Sequence, residues 1–241
     1  DQGYGSRFRK ETENASPGYY AVVLDDYKIK VELTATNRVG FHKYNFPKGK
    51  EAFVTLDLEH RDEVLESSFK QINEYEIEGL RRSSSWAKDQ YVYFVARFNQ
   101  PIQDLILSVN DMLIDVPEAY GKNIKVAFDF GELKNRSLLL KVGISAVSVD
   151  GARKNLDAEI PAWNFKKIRK EAKRAWNKEL SKIDVKSSKE NKTIFYSALY
   201  HTMIAPNTFM DVDGKYRGTD LKIHQAKDFT NYTIFSLWDT Y

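Results

Sequence analysis

The chain has 241 residues, no cysteine and a net charge of +3, from 37 basic and 34 acidic residues that are mixed along its length. Its hydrophobic fraction of 42% and aromatic fraction of 13% can fill a core, which excludes a disordered chain. The lack of cysteine excludes disulfide bonds, thiolate metal sites and a cysteine nucleophile. The mixed charges indicate no nucleic-acid partner, and no stretch approaches the roughly 20 apolar residues of a membrane helix.

Residues 1–150 carry the two-residue period of β-strands. Residues 28–36 alternate strictly, and the face that we expect to be buried carries Ile29, Val31, Leu33 and Ala35. Residues 91–98 are almost continuously apolar or aromatic, which is typical of a strand covered on both faces. Further alternating runs, separated by turn residues, occur at 54–58, 126–130 and 138–144. Many strands without intervening helices predict an antiparallel β-sandwich, to which we assign residues 1–157.

The period changes near residue 158. From Phe165 to Ile183, apolar residues recur at steps of three and four, with Pro161 near the start of the pattern. This spacing predicts an amphipathic linker helix within residues 158–186.

A second helix is predicted after Ser187, because Glu190 stands three residues further on and completes a capping-box pattern. Pro206 ends it. Its inner face carries Ile194, Phe195, Ala198, Leu199 and Thr202. An apolar helix face needs a partner to cover it, so we expect residues 187–241 to begin a helical domain.

The motif SLWDTY at residues 236–241 is the candidate binding site. Aromatic rings stack on the apolar C–H faces of sugars, and a carboxylate accepts hydrogen bonds from hydroxyl groups. Trp238 and Asp239 are therefore the candidate substrate-binding residues. Because the chain stops at this motif and starts without an initiator Met, we expect it to be part of a longer protein whose active site begins here.

Other polar motifs have simpler interpretations. DVDG at residues 211–214 begins like a calcium-binding loop, but no glutamate stands at loop position 12, so a hairpin turn is favoured. The basic run at 166–174 is interpreted as the solvated face of a helix. No histidine pairs with another at metal-ligand spacing. Glu13, Arg38 and Arg61 are interpreted either as surface charges or as interface residues.

Several of these motifs together resemble the glycoside hydrolase family 92 α-mannosidases. The resemblance to the N-terminal domain lies in SPGYY at 16–20, DDY at 25–27, ELTAT at 32–36 and RVGFH at 38–42. The resemblance to the start of the catalytic domain lies in YHTM at 200–203, APN at 205–207, DVDG at 211–214, YRG at 216–218 and FSLWDT at 235–240.

The resemblance implies a β-sandwich followed by a linker helix and the first helix of an (α/α)6 barrel. It also implies a calcium-dependent, inverting exo-α-mannosidase that is secreted or periplasmic. The partners implied are a mannose-containing glycan and the remainder of the chain's own catalytic domain. In the family, the catalytic acid and base and most of the calcium ligands come from later in the barrel, so no catalytic residue and no metal ligand is assigned in this chain.

The resemblance places Trp238 and Asp239 at the pocket for the terminal mannose, with Asp239 binding hydroxyl groups rather than transferring the proton. In the alternative interpretation, Trp238 packs in the barrel core and Asp239 caps the next helix. At the level of function, the alternative is a non-catalytic carbohydrate-binding β-sandwich protein. A phosphorylase-like or glucoamylase-like enzyme of the same layout is a third hypothesis, since a fold does not determine the chemistry.

Overall fold

The structure is a computed structural model that describes residues 3–233. Its first part is built of antiparallel strands, preceded by a short 3-10 helix at Lys10–Thr12. In chain order, the strands are β1 (Asn14–Ser16), β2 (Tyr19–Leu24), β3 (Ile29–Ala35), β4 (Val39–Asn45), β5 (Glu51–Asp57), β6 (Glu63–Asn73), β7 (Glu76–Ser84), β8 (Gln90–Phe98), β9 (Asp104–Val109), β10 (Met112–Ile114), β11 (Glu118–Gly121), β12 (Ile124–Glu132) and β13 (Ser137–Ser145).

These strands form two sheets. Within residues 3–233, the larger sheet has nine strands in the order β1-β2-β3-β4-β13-β8-β7-β6-β11, and the smaller has four in the order β10-β9-β12-β5. Each neighbouring pair is antiparallel. The antiparallel sandwich that the sequence predicted is therefore confirmed.

The main core lies between the two sheets and is rich in phenylalanine. Phe98 on β8 contacts Phe128 and Phe130 on β12, with ring centroids 5.6 and 5.0 Å apart. All three side chains are at most 2% exposed. Alternate residues of β12 point into this core, as the two-residue period predicted.

The opposite face of the larger sheet is covered by helices α1 (Val149–Glu159) and α2 (Phe165–Leu180). A second core forms here from Val39, Phe41, Val95, Ala152, Leu156, Ile160, Phe165 and Ile168. On β8, Phe94 and Phe98 point into the core between the sheets, whereas Val95 packs against the helices. This strand is therefore covered on both faces, as its apolar sequence predicted.

Helix α1 was not predicted from the sequence. Its buried apolar side chains are Ala152 and Leu156, followed by Ile160 at the C-cap, so its apolar stripe is only one residue wide. Gly151 lowers its helix propensity further. The sequence feature that marks the start of this helix is Ser148. Its side chain caps the helix by accepting a hydrogen bond from the Gly151 N–H at 3.0 Å.

The predicted buried face of β3 is only partly correct. Ala35 is exposed, while Glu32 and Thr34 on the opposite face are 8% and 5% exposed. The reason is that α2 covers the opposite face. Glu32 accepts a hydrogen bond from the Tyr19 hydroxyl at 2.8 Å, and Thr34 donates to the Gly18 carbonyl at 2.7 Å, so both buried polar groups are paired.

Helix α2 lies within the segment predicted as a linker helix, and Phe165 and Ile168 at its start are buried. Helix α3 (Lys189–Thr202) begins one residue later than predicted, because Ser188 rather than Ser187 caps it. Its apolar side chains stay at least partly exposed, and none of its residues is buried. None of the helices within residues 3–233 combines the length and the hydrophobicity that a membrane span requires. The division of the chain at 157 and 186 remains a prediction.

The close contact between α1 and β13 predicts an effect of a single methyl group. A Cβ at Gly143 would lie 2.5 Å from the Ala152 carbonyl oxygen and 2.8 Å from Leu156 Cβ, so the helix would have to move. We expect Gly143→Ala to lower the free energy of unfolding by about 1–3 kcal/mol, the usual cost of overpacking. Urea denaturation measures this.

Gly40→Ala is the matched control on the neighbouring strand. Its added Cβ would meet only the tip of the His42 ring, at 3.2 Å, and we expect a change below about 1 kcal/mol. Equal stability of wild type and Gly143→Ala would contradict the packing of α1 described above.

Candidate functional site

Trp238 and Asp239 lie outside the described residues. Residues 203–233, called here the C-terminal segment, lead directly to them and are described in full. The segment precedes the candidate residues in the chain, and it is held on the sandwich as follows.

The last described residues are held by an antiparallel pairing with the start of the segment. The Phe209 N–H donates to the Asn231 carbonyl at 2.9 Å, and the Thr233 N–H donates to the Asn207 carbonyl at 2.8 Å. Two side chains add to this: the Asn207 N–H donates to Thr233 Oγ1 at 2.9 Å, and Asn231 Nδ2 donates to the Phe209 carbonyl at 2.8 Å. The chain therefore leaves Thr233 from a defined position.

Between these two paired segments lies a hairpin of β14 (Lys215–Arg217) and β15 (Ile223–Gln225). A turn at residues 211–214 is confirmed, but it precedes this hairpin, whose own turn lies at residues 218–222. The Gly214 N–H donates to the Asp211 carbonyl at 2.9 Å, and Gly214 has a positive φ of 84°, which glycine adopts without strain.

Asp211 connects this turn to the sandwich. It is 3% exposed. Its carboxylate accepts a hydrogen bond from Ser145 Oγ at 2.7 Å and another from Asn155 Nδ2 at 2.8 Å, and Asn155 Oδ1 accepts from the Val212 N–H at 2.8 Å. Because Ser145 ends β13 and Asn155 lies on α1, one carboxylate links the sandwich, the helix and the C-terminal segment.

The contact also explains the glycine in the first turn of α1. A Cβ at Gly151 would lie 2.2 Å from Asp211 Oδ2, so no other residue fits without moving the carboxylate. This role of Asp211 was not predicted from the sequence. Its spacing from Ser145 and Asn155 along the chain, 66 and 56 residues, carries no local signal.

Arg38 also connects the sandwich to the C-terminal segment. Of its two interpretations, surface charge or interface residue, the second is therefore the correct one. Its Nη1 bonds Glu159 Oε1 at 2.7 Å, its Nε donates to the Met210 carbonyl, and its side chain is 14% exposed. By contrast, Glu13 accepts a hydrogen bond from the Tyr20 hydroxyl at 2.9 Å, and Arg61 is exposed. Of the three, only Arg38 contacts the C-terminal segment.

Arg217 provides a third attachment. Its guanidinium lies 3.9 Å from the ring centroid of Tyr91 at the start of β8, a cation–π distance. Its Nε donates to the Ala146 carbonyl and its Nη1 to the Leu221 carbonyl, both at 2.8 Å. A small cleft of about 140 Å³ lies between the sandwich and the C-terminal segment. Gln90, Tyr91 and Phe209 are among the residues that line it.

Comparison with known proteins identifies the family. The sequence model of the glycosyl hydrolase family 92 N-terminal domain matches residues 1–145, and that of the family's catalytic domain matches residues 151–241. The chain belongs to glycosyl hydrolase family 92. The junction formed by Asp211, Arg38 and Arg217 thus joins the family's N-terminal domain to the start of its catalytic domain.

Solved structures of family 92 agree closely with this fold. A family GH92 α-mannosidase from Bacteroides thetaiotaomicron matches with a TM-score of 0.95 and 36% identity, over 99% of this chain and 34% of its own. Its complex with mannoimidazole matches with a TM-score of 0.94 and the same identity, over 99% of this chain and 33% of its own.

Among curated proteins, one described as an uncharacterized secreted glycosidase of Arthroderma benhamiae is 24% identical over 260 residues. The match covers 96% of this chain and 32% of that protein. This family 92 chain therefore spans about a third of the length of the relatives it matches.

The described part of this family 92 chain does not supply a metal site. Within residues 3–233, no group of three or more His, Cys, Asp or Glu side chains is placed to hold a metal ion. Asp213 binds Lys154 and the Lys215 N–H, which leaves it occupied. The side chains of residues 3–233 therefore provide no cluster of carboxylates for a calcium ion.

The buried carboxylate predicts a pH-dependent stability. Burial raises the pKa of Asp211, partly offset by the hydrogen bonds from Ser145 and Asn155. The contribution of Asp211 to stability is then complete below its unfolded pKa of about 3.9, and it is lost as pH rises through the raised folded value. Unfolding of wild type and Asp211→Asn should be compared from pH 3.5 to 7. The stability of wild type minus that of the variant should fall with pH.

Asp213→Asn is the matched control two residues away. Burial alone would raise the pKa of Asp213, but the Lys215 N–H and the Lys154 ammonium outweigh it and lower the pKa. The stability of wild type minus this variant should therefore rise with pH up to about 3.9 and then stay level. If the stability of wild type minus that of Asp211→Asn does not change with pH, the carboxylate of Asp211 is not buried between the sandwich and the C-terminal segment.

Proposed function

We propose that this chain is part of an α-mannosidase, a glycoside hydrolase that removes terminal mannose from glycans with inversion at the anomeric carbon and depends on calcium. The single observation that supports it most is the match to the B. thetaiotaomicron α-mannosidase, which extends over 99% of this chain at 36% identity. The match of residues 151–241 to the family's catalytic domain weighs against the non-catalytic carbohydrate-binding alternative.

Trp238 and Asp239 form part of the pocket for the terminal mannose in this proposal. The indole stacks on the apolar face of the sugar ring, and the carboxylate accepts hydrogen bonds from hydroxyl groups. The support is indirect: the pairing of residues 207–209 with 231–233 holds the chain in place five residues before Trp238.

The catalytic acid and base belong to other parts of the full-length protein. Inverting hydrolysis needs two carboxyl groups about 6.5–9.5 Å apart, one to protonate the leaving group and one to activate water. No residue of this chain is assigned to either role. The calcium ligands are likewise proposed to lie outside residues 3–233.

The remainder of the catalytic domain is the proposed partner of α3. The apolar side chains of this helix are partly exposed, and Ile194 is 63% exposed. A cleft of about 1180 Å³ separates α3 from the β1–β2 end of the sandwich. Further helices of the catalytic domain would fill it. We also propose a secreted or periplasmic location, which the description of the Arthroderma relative as secreted supports.

The first test concerns the chain by itself. The purified 241-residue chain should not hydrolyse aryl α-mannosides above background, with or without calcium, because it lacks the acid and base. The full-length protein should hydrolyse them and should lose this activity when calcium is chelated. Release of the aryl group, followed by absorbance, measures both. Calcium-dependent hydrolysis by the chain alone would show that the catalytic carboxyl groups are misplaced here.

The second test concerns Asp239 in the full-length protein. Asp239→Asn should lower kcat/KM by about 100-fold or more, because a charged hydrogen bond to a hydroxyl, worth about 1.5–3 kcal/mol, strengthens as the ring approaches the transition state. If Asp239 instead caps a helix, the change costs about 1 kcal/mol of stability or less and leaves kcat/KM at the wild-type value. Kinetics and thermal unfolding of the same variant separate the two.

A further inference from the structure

Helix α2 carries a row of cations along its outward side, called here the basic ridge. Lys166, Lys170, Arg174 and Lys178 follow one another at steps of four residues, so they lie on one face of the helix. All four are exposed, and within residues 3–233 none of them forms an ion pair. Since each helical residue advances by about 1.5 Å, the ridge is about 18 Å long.

The other side of α2 fixes the direction in which the ridge points. Phe165 and Ile168 are buried against the larger sheet. Two turns later, the Trp176 ring contacts the Tyr200 ring of α3, with the centroids 4.8 Å apart. Because these side chains face the protein, the four cations on the opposite side of the helix face away from it.

The ridge is the centre of a wider imbalance of charge. Residues 161–192 contain 11 basic and 4 acidic residues, a net charge of +7. The whole chain has +3, so the remainder of the chain has −4. In the sandwich, cations such as Arg82 and Arg97 pair with carboxylates, at Asp89 and Glu76. The positive charge that is left unpaired is therefore concentrated on the surface formed by α2 and the residues that follow it.

A row of like charges is unfavourable for the helix itself. Cations at i and i+4 repel each other and destabilise a helix, whereas a cation and a carboxylate at this spacing stabilise it. The same helix contains such a pair, since Lys167 Nζ lies 3.9 Å from Glu171 Oε1. Solubility alone does not require three successive repulsive steps. An anionic partner that neutralises the ridge accounts for them.

We propose that the basic ridge of α2 is a docking surface for the anionic headgroups of a phospholipid bilayer. Three of its four cations are lysines, whose ammonium groups are point charges and do not form the bidentate fork that recognises a single carboxylate. A straight row of such charges can contact a plane along its whole length. The apolar side of α2 is occupied by the protein, so the helix binds the surface by charge and does not insert. This docking does not depend on the proposed mannosidase activity.

The experiment measures co-sedimentation of the full-length protein with lipid vesicles. Vesicles of phosphatidylcholine with about 30% phosphatidylglycerol provide the anionic surface, and vesicles of phosphatidylcholine alone provide the neutral one. Wild type should bind the anionic vesicles and not the neutral ones. It should be released when the salt concentration rises from about 50 mM to about 500 mM, because the Debye length shortens.

The test variant replaces the four ridge cations together, as Lys166→Gln, Lys170→Gln, Arg174→Gln and Lys178→Gln. One cation near an anionic surface raises partition by about fivefold, so this variant should bind the anionic vesicles roughly 500-fold more weakly. A second variant changes only the three lysines to arginine, keeps the charge and should bind as wild type does. The melting temperature of the glutamine variant should be unchanged or higher, because the repulsion along the helix is removed.

The matched control removes the same charge from loops of the sandwich. Its four exposed lysines flank strands of the smaller sheet, away from α2, and are changed as Lys48→Gln, Lys50→Gln, Lys122→Gln and Lys134→Gln. Charges more than a Debye length from the bilayer are screened, so this variant should bind within about twofold of wild type.

Four results would overturn the inference. Wild type that does not bind anionic vesicles lacks the docking surface. Equal losses in the two glutamine variants mean that net charge, not the ridge, causes binding. A fall of several degrees in the melting temperature of the ridge variant means that the rest of the protein pairs with these cations. Binding of wild type to dextran sulfate but not to vesicles means that the ridge serves a soluble polyanion instead of a membrane.

Discussion

The carboxylate of Asp211 is the contact on which the arrangement of this chain depends. Removing a carboxylate from water is costly unless its oxygens are hydrogen-bonded, and here both are, to Ser145 and to Asn155. The donors belong to the last strand of the sandwich and to α1, while the acceptor belongs to the C-terminal segment. The three parts must therefore come together for the carboxylate to be satisfied, which makes the junction specific as well as stable.

The position of α1 is what makes this contact available. The helix packs on the face of the larger sheet that is turned away from the main core, with Leu156 and Ala152 fully buried. Its polar side also faces protein: Arg153 forms ion pairs with Glu76 and Glu78 on β7, and Arg97 on β8 pairs with both Glu76 and Asp157. Glu76, at the centre of this network, is 7% exposed, so loss of its arginine partners would leave a buried charge unpaired, whereas the Asp157 side chain is 55% exposed.

The N-terminal domain presents one end of its strands to the first residues of the catalytic domain. Arg38 and Arg217 then hold backbone carbonyls on either side of Asp211, at Met210 and at Leu221. Directed charged donors fix backbone position more strictly than apolar packing does. The C-terminal segment is therefore positioned by the sandwich.

The sequence by itself determined the class of the fold, the presence of a sandwich followed by helices, and the family. These follow from local information: the two-residue period of strands such as β12, the steps of three and four in α2, and short motifs in a specific order. Local patterns also indicated the turn at residues 211–214 and the double coverage of β8, because a strand buried on both faces has no polar side.

Only the tertiary structure decided what lies on the second face of the sheet. The alternation in β3 indicates two faces but not which helix covers them, and α2 buries Glu32 and Thr34, which a simple polar pattern assigns to solvent. In the same way, the partners of Asp211 lie 56 and 66 residues away along the chain, and Arg38 meets Met210 across 172 residues. Hydrogen bonds between distant residues leave no periodicity in a single sequence, so the junction between the sandwich and the C-terminal segment becomes visible only once the chain is folded.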